Sequence, residues 1–203
     1  MIQKFCVPIL SAIILMLSTA AVQGQKPAAS PTPSPTPLKL ERVTKFDGNV
    51  TFPEVDGWEL SEKTQYPTPD MGYSVNYESP AARITIYVYT GGQSAIPNSL
   101  LGVVAEEMKG TQAGINTIVE RGGYESAKEL KNETVTLGGK NGKVKSLHVH
   151  YDLRAGGRDL DSHIYLFPYN NYFVKLRMTG PKAATPNAGI ATLLEAIDLL
   201  FSK

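Results

Sequence analysis

All three histidines of the chain, His148, His150 and His163, fall in one short region around a Gly-Gly pair. The pair Gly156-Gly157 separates two runs of alternating polarity, and two adjacent residues that tolerate positive φ are typical of a tight β-hairpin turn. With this turn, His150 pairs with His163 across the hairpin, and His148 lies two residues away on the same face. The sequence therefore predicts a single patch that contains every imidazole of the chain.

Three imidazoles beside a carboxylate have the composition of a zinc site. Asp161 is predicted on the same face, and such a set can hold Zn²⁺ tetrahedrally or leave one position open for a water that attacks a substrate. The candidate metal ligands are His148, His150, His163 and Asp161, and zinc is the one cofactor considered. Two alternatives stay open: ordinary surface or half-buried histidines in a charged cluster, and a pH-sensing patch whose imidazoles repel one another when charged.

Other catalytic signatures are missing from the sequence. It has no Gly-x-Ser-x-Gly and no His-Glu-x-x-His motif, and its one cysteine, Cys6, lies in the first 24 residues. The net charge of +1 provides no excess for binding nucleic acid or an anionic membrane. We therefore predict a non-enzymatic domain with a protein or cell-envelope partner. A metal-binding protein or metal-dependent hydrolase is the alternative, and a purely structural envelope protein is a third option.

The first 38 residues have the features of a leader and a spacer. Residues 1–24 contain the positive Lys4, then an apolar run, then small residues, as in a secretory signal peptide. The apolar run is shorter than a membrane-spanning helix, so we predict cleavage and keep an uncleaved anchor as the alternative. Residues 25–38 are rich in Pro, Ser and Thr, which predicts an extended linker. Residues 39–203 are then a single α+β domain, secreted or periplasmic.

The elements of this domain follow from apolar periodicity. Helical spacing predicts two long helices, one from Asn98 to the Gly-Gly pair at 122–123, weakened at Gly110 and Gly114, and one after Asn187. Alternating patterns predict strands at 43–55, 58–64, 72–78, 83–90, 129–137, 143–154, 158–168 and 172–179. Because the loops between neighbouring strands have hairpin length, the sheet should be mostly antiparallel and flanked by the two helices.

The turn at Asn170-Asn171 leaves one question open. A strict two-residue turn places Leu176 and Met178 on the face of the histidines, whereas a β-bulge near Pro168 would return them to the opposite face. In the second case, the neighbouring lysine and arginine of that strand would lie beside the histidines. Without the bulge, the sheet must be covered on both faces and the histidine face is partly buried.

Three stretches of the chain each carry a general motif: the first a tryptophan after a turn, the second two alternating strands and the third a strand with a Lys-x-Arg pattern. They are FPEVDGW at 52–58, GYSVNYESPAARITIYVY at 72–89 and NNYFVKLRMTGP at 170–181. In these stretches and in the order of its elements, the chain resembles the PsbP/Mog1-like superfamily over most of residues 43–203. The resemblance implies an α-β-α sandwich around an antiparallel sheet. It also implies a binding or assembly protein without shared catalytic residues, so no catalytic residue is carried over.

Overall fold

The computed structural model describes residues 40–45, 48–53, 55–61, 63–137 and 143–182. The chain divides into two units, Met1–Thr36 and Pro37–Lys203, and every described residue belongs to the second. The predicted signal peptide, the linker and the helix predicted after Asn187 all fall outside the described ranges.

The described part of the chain contains ten strands, one α-helix and a short 3-10 turn. The strands are β1 Leu40–Lys45, β2 Gly48–Pro53, β3 Glu59–Leu60, β4 Thr64–Gln65, β5 Tyr73–Glu78, β6 Arg83–Tyr89, β7 Ser126–Leu137, β8 Val144–Ala155, β9 Arg158–Tyr169 and β10 Tyr172–Pro181. The helix, α1, spans Val103–Glu120, and the 3-10 turn spans Pro69–Met71. β1 and β2 form a separate hairpin. The other eight strands form one antiparallel sheet in the order β3-β5-β6-β10-β9-β8-β7, with β4 also paired to β5.

The predicted sheet between two long helices, an α-β-α sandwich, is wrong for the residues that the structure describes. They form a mostly antiparallel sheet with one helix, which packs on one face only. On the other face, Phe52 of β2 and Val55 lie at 0% and 3% exposure against apolar side chains of β5, β6 and β10. Burial of apolar surface drives this packing whatever the secondary structure that supplies it. An extended segment therefore covers sheet surface that the prediction assigned to a helix.

The hairpin between β8 and β9 forms as predicted. Gly156 and Gly157 adopt φ of 55° and 71°, the two positive values that a type I′ turn requires. The resulting register pairs His150 with His163 and Val149 with Ile164. The polar and apolar faces of this hairpin are therefore separated as the sequence indicated.

The turn between β9 and β10 contains no bulge. Asn170 and Asn171 adopt φ of 44° and 64°, which asparagine tolerates better than most residues. The register continues without a shift, so that Leu176 pairs with Tyr165 and Met178 with His163. Both faces of the sheet are therefore apolar in part, and the alternative without a bulge, in which the histidine face is partly buried, is correct.

α1 begins later than predicted. Gly102 precedes it with φ of 63°, outside the helical region, so the apolar residues before it cannot belong to the helix. Leu101 is accordingly 77% exposed. α1 then runs through Gly110 and Gly114 as one helix, because apolar burial along its length outweighs the low helix propensity of glycine.

α1 ends at the predicted glycine pair. The N–H of Gly122 donates to Val119 O at 2.9 Å, and the N–H of Gly123 donates to Ile118 O at 2.9 Å. This pair of bonds is the Schellman motif, which satisfies the last carbonyl groups of a helix. No helix within the described ranges combines the length and apolar character needed to cross a membrane.

β7 lies at one edge of the sheet as described and contains a β-bulge. Its register against β8 shifts between Glu129 and Lys131, so that Leu130 has no partner on β8. Leu130 is 43% exposed. The bulge interrupts the ladder of a twelve-residue strand.

Candidate functional site

The predicted histidine patch exists, and we call it the histidine cluster: His148, His150, His163, Asp161, Tyr165 and Glu133. His148 Nε2 lies 3.1 Å from His163 Nδ1, and the two ring planes are parallel within 2° with centroids 5.3 Å apart. This separation matches two rings that lie edge to edge in one plane, joined by an N–H···N hydrogen bond. At least one of the two imidazoles must therefore be neutral, because the acceptor nitrogen needs its lone pair.

The remaining contacts of the cluster are aromatic stacks and two carboxylates. The ring of His150 stacks on that of His163 at 4.1 Å, and the ring of His148 stacks on Tyr165 at 4.5 Å, with interplanar angles of 10°. The carboxylate of Glu133 lies 3.3 Å from His148 Nδ1. The carboxylate of Asp161 lies 3.1 Å from His150 Nε2. Four ring nitrogens of the cluster thus already have a hydrogen-bonding partner.

Burial favours the neutral form of two of the histidines. It lowers the pKa of His163 to about 4, with further lowering from the neighbouring His150 and His148 and a smaller opposing effect of Asp161. Burial also lowers the pKa of His148, partly offset by its hydrogen bond to Glu133. Neutral rings fit the N–H···N bond between them, since two imidazolium ions could not form it.

The metal site predicted at His148, His150, His163 and Asp161 is brought together only in part. Within the described residues, no three His, Cys, Asp or Glu side chains are arranged to hold a metal ion. Around tetrahedral Zn²⁺, neighbouring nitrogens lie about 3.3 Å apart with lone pairs that converge on the ion, whereas two ring nitrogens here share a proton. Zinc would have to displace that proton and turn the rings.

Zinc binding stays a prediction, and elemental analysis of the purified protein tests it. One equivalent of zinc that is lost in a His150→Ala/His163→Ala double variant would establish the site. Purified protein without bound metal after incubation with zinc would remove it.

A second polar cluster lies on the opposite face of the sheet, beside α1. Lys175 of β10 pairs with Tyr87 of β6, and its ammonium lies 5.2 Å from the ring centroid of Tyr87 and 5.0 Å from that of Tyr89. These distances are typical of cation–π contacts. Lys175 Nζ forms no hydrogen bond or ion pair with any residue that the structure describes.

Arg177 lies two residues further along the same face of β10. Its guanidinium donates a hydrogen bond to Tyr124 Oη and lies 5.8 Å from the ring centroid of Tyr124. At the other end of the cluster, the Tyr89 hydroxyl donates to Glu107 Oε1 of α1 at 2.7 Å. We call these residues the lysine site: Tyr87, Tyr89, Glu107, Tyr124, Lys175 and Arg177.

The ammonium of Lys175 is poorly compensated. Burial lowers the pKa of Lys175, Arg177 lowers it further, and Glu107 raises it in part. Burial also raises the pKa of Tyr89 well above its usual value, with an added effect of Glu107. A buried cation without hydrogen-bond acceptors destabilises a fold. Positions of this kind are common at functional sites.

The sequence interpretation missed the lysine site because it considered Lys175 and Arg177 only in the alternative with a bulge, where they lie beside the histidines. That placement depended on the bulge that is absent. The alternation of β10 could have located them, since apolar Val174, Leu176 and Met178 need a buried face and leave the two cations on the other. The sequence signal was therefore present, but its interpretation depended on the geometry of a single turn.

Comparison with known proteins gives matches among solved structures. No protein-family profile matches the chain, and no curated protein matches it. The chain is similar to the solution structure of cyanobacterial PsbP (CyanoP) from Synechocystis sp. PCC 6803, with a TM-score of 0.49 and 12% identity over 79% of this chain and 90% of that one. It is also similar to PA94 from Pseudomonas aeruginosa, a protein of unknown function described as a putative regulator. The TM-score is 0.36, with 12% identity over 75% of this chain and 90% of that one. Both matches are likenesses of fold alone, and the first is to a PsbP protein, as the sequence resemblance predicted.

Proposed function

We propose that this chain is a non-enzymatic binding domain, secreted or periplasmic, that binds a protein or cell-envelope partner through the sheet face beside α1. The signal-peptide pattern of residues 1–24 supports the location. The observation that carries the binding function is the half-buried Lys175, whose ammonium has no hydrogen-bond acceptor within the described residues. A partner that supplies an acceptor would remove this cost.

The two polar clusters differ at one cation: Thr85 Oγ1 donates to Asn76 Oδ1 at 2.7 Å on the face beside α1, but the ammonium of Lys175 has no acceptor among the described residues. Ring nitrogens of the histidine cluster contact one another or a carboxylate. The face beside α1 instead presents a strip of half-buried polar side chains on β5, β6 and β10. The strip consists of Asn76, Thr85, Tyr87, Lys175 and Arg177. Half-buried, convergent polar groups beside aromatic rings are typical of binding surfaces.

The strip has the composition of a recognition surface rather than of a catalytic one. Tyrosine and arginine provide large contact areas and directional hydrogen bonds, and both are enriched at interfaces. The strip contains no histidine, carboxylate or cysteine. Its composition supports a binding role.

Site-specific photo-crosslinking in the native host tests the proposal. A photoreactive phenylalanine analogue at Thr85, in the strip, should form one adduct that excess unmodified protein suppresses. The same analogue at Lys128, an exposed position on β7, is the matched control and should not form that adduct. The same products from both positions, or none from Thr85, would contradict the proposed surface.

A further inference from the structure

The lysine site has the charge and the donors for one carboxylate. Resting on the proposed function, we infer that Lys175 and Arg177 together bind a carboxylate group of the ligand. Both residues lie on one face of β10, and their Cα atoms are about 6–7 Å apart because they are two positions apart in a strand. Arg177 is near enough to Lys175 to act on its charge, and in the proposed complex one carboxylate bridges the two groups and accepts hydrogen bonds from both.

The free donors of the site are on these two cations. The ammonium of Lys175 has three N–H groups; it lies over the faces of Tyr87 and Tyr89 and has no hydrogen bond or ion pair among the described residues. The guanidinium of Arg177 has five N–H groups, of which one is donated to Tyr124. Charge-assisted hydrogen bonds from such donors to a carboxylate are stronger than neutral ones.

The local charge favours a monoanion. Lys175 and Arg177 contribute two positive charges, and Glu107 contributes one negative charge near Lys175. The next cation along β6, Arg83, is already paired with Glu78 at 3.2 Å. The site therefore has one uncompensated positive charge, which matches a carboxylate better than a phosphate dianion.

A neighbouring position on α1 adds an unmatched hydroxyl. Thr111 lies one turn after Glu107 on the same side of the helix, and its Oγ1 is buried without a hydrogen-bond partner among the described residues. Buried hydroxyl groups without partners are rare in native proteins. This hydroxyl is therefore a further polar group without a partner among the described residues, one helical turn from Glu107.

Direct observation of the lysine side chain tests the inference. In the mature protein with ¹³C- and ¹⁵N-labelled lysine, NMR titration with acetate at constant ionic strength should shift the Lys175 side-chain resonances in a saturable way. The pKa of Lys175 should rise on binding, because a bound carboxylate stabilises the ammonium form. Phosphate should bind more weakly than acetate. Equal, unsaturable shifts with acetate and chloride would overturn the site, and tighter binding of phosphate would overturn the carboxylate assignment.

Two variants and a control locate the site. Lys175→Met and Arg177→Met should each weaken the binding of acetate at least tenfold, by loss of a charge-assisted hydrogen bond. Binding to the Lys175→Met protein is followed through backbone amide resonances, which also report whether each variant folds. Lys109→Met removes one exposed lysine of α1 and should leave the affinity unchanged. Equal losses in all three variants would indicate a general charge effect and overturn the site.

The source of the carboxylate is distinguished with a short peptide. A peptide with a free C-terminal carboxylate that binds at least tenfold tighter than acetate and than its C-terminal amide would identify a protein as the source. Equal affinity for the peptide and acetate would identify a small carboxylate. A Thr85 photo-adduct without acetate binding would refute this inference alone, whereas acetate binding without the adduct would refute only the proposed partner.

Discussion

Acid should destabilise the fold through His163. The pKa of His163 is about 4 in the fold against 6.5 for the free side chain, a difference of about 2.5 units. Between these values the unfolded chain binds a proton that the folded chain does not, so the free energy of unfolding falls as the pH decreases through this window. Above pH 6.5 the effect disappears, since neither state binds the proton.

The magnitude follows from the same two values. One pKa unit corresponds to about 1.4 kcal/mol, so His163 should reduce the free energy of unfolding by about 2 kcal/mol between pH 7.5 and pH 4.5. His148 acts in the same direction because burial lowers its pKa also. The groups that face His163 are His148, His150, Asp161 and the more distant Lys131.

Urea denaturation of the wild type and of His163→Gln at both pH values measures this effect. Glutamine keeps a hydrogen-bonding side chain beside His148 but does not titrate, so the variant should lose about 2 kcal/mol less than the wild type. Groups that do not face His163 titrate alike in both proteins, so their contribution cancels in the difference. Lys145→Gln, an exposed substitution on β8, should retain the wild-type loss. An equal pH dependence in wild type and His163→Gln would refute the reasoning.

Three further predictions concern stability, and urea denaturation at pH 7.5 measures each. Gly72→Ala should destabilise the fold by more than about 3 kcal/mol, because a Cβ there would lie 1.9 Å from a backbone oxygen of β6. The matched control Gly57→Ala, also at positive φ but in open space, should cost only about 1 kcal/mol; similar costs would contradict the argument from the clash. Asn171→Gly should cost about 1 kcal/mol, because it removes the 2.7 Å hydrogen bond to the loop before α1. Asn170→Gly, for which no such bond is found among the described residues, should be neutral or slightly stabilising, and an equal loss in both would show that the bond does not matter. Lys175→Met should raise the free energy of unfolding of the ligand-free protein by about 1 kcal/mol, because it replaces a buried cation with an apolar side chain of similar length. A decrease would show that the ammonium is already compensated.

Much of the sheet was predictable because tight hairpin turns require residues that tolerate positive φ, and such residues can be recognised in the sequence. The Gly156-Gly157 pair determined one register, and that register placed His150 opposite His163 without any knowledge of the rest of the fold. The agreement of polarity on both strands made this local inference reliable, since a shift of one residue would have exchanged the two faces.

The boundaries and the layers were less predictable, because they depend on contacts distant in sequence. Leu101 fits the helical period, but the backbone of Gly102 is not helical, so α1 begins only at Val103. The packing of Phe52 against the sheet could not be predicted from local sequence patterns. It becomes evident only in the tertiary structure, where an extended segment covers a face on which a helix was expected. The candidate binding face was missed for the same reason, as the side on which Lys175 lies depends on one turn.

The displaced register at Leu130 has a consequence for the behaviour of the protein at high concentration. An uninterrupted twelve-residue border would offer a continuous row of amide and carbonyl groups to the border strand of another molecule. Here the row is broken near its middle, and charged side chains stand on both sides of the break. The interruption therefore disfavours pairing of β7 with the same strand of another copy of the protein. Deletion of Leu130 should favour association into fibres.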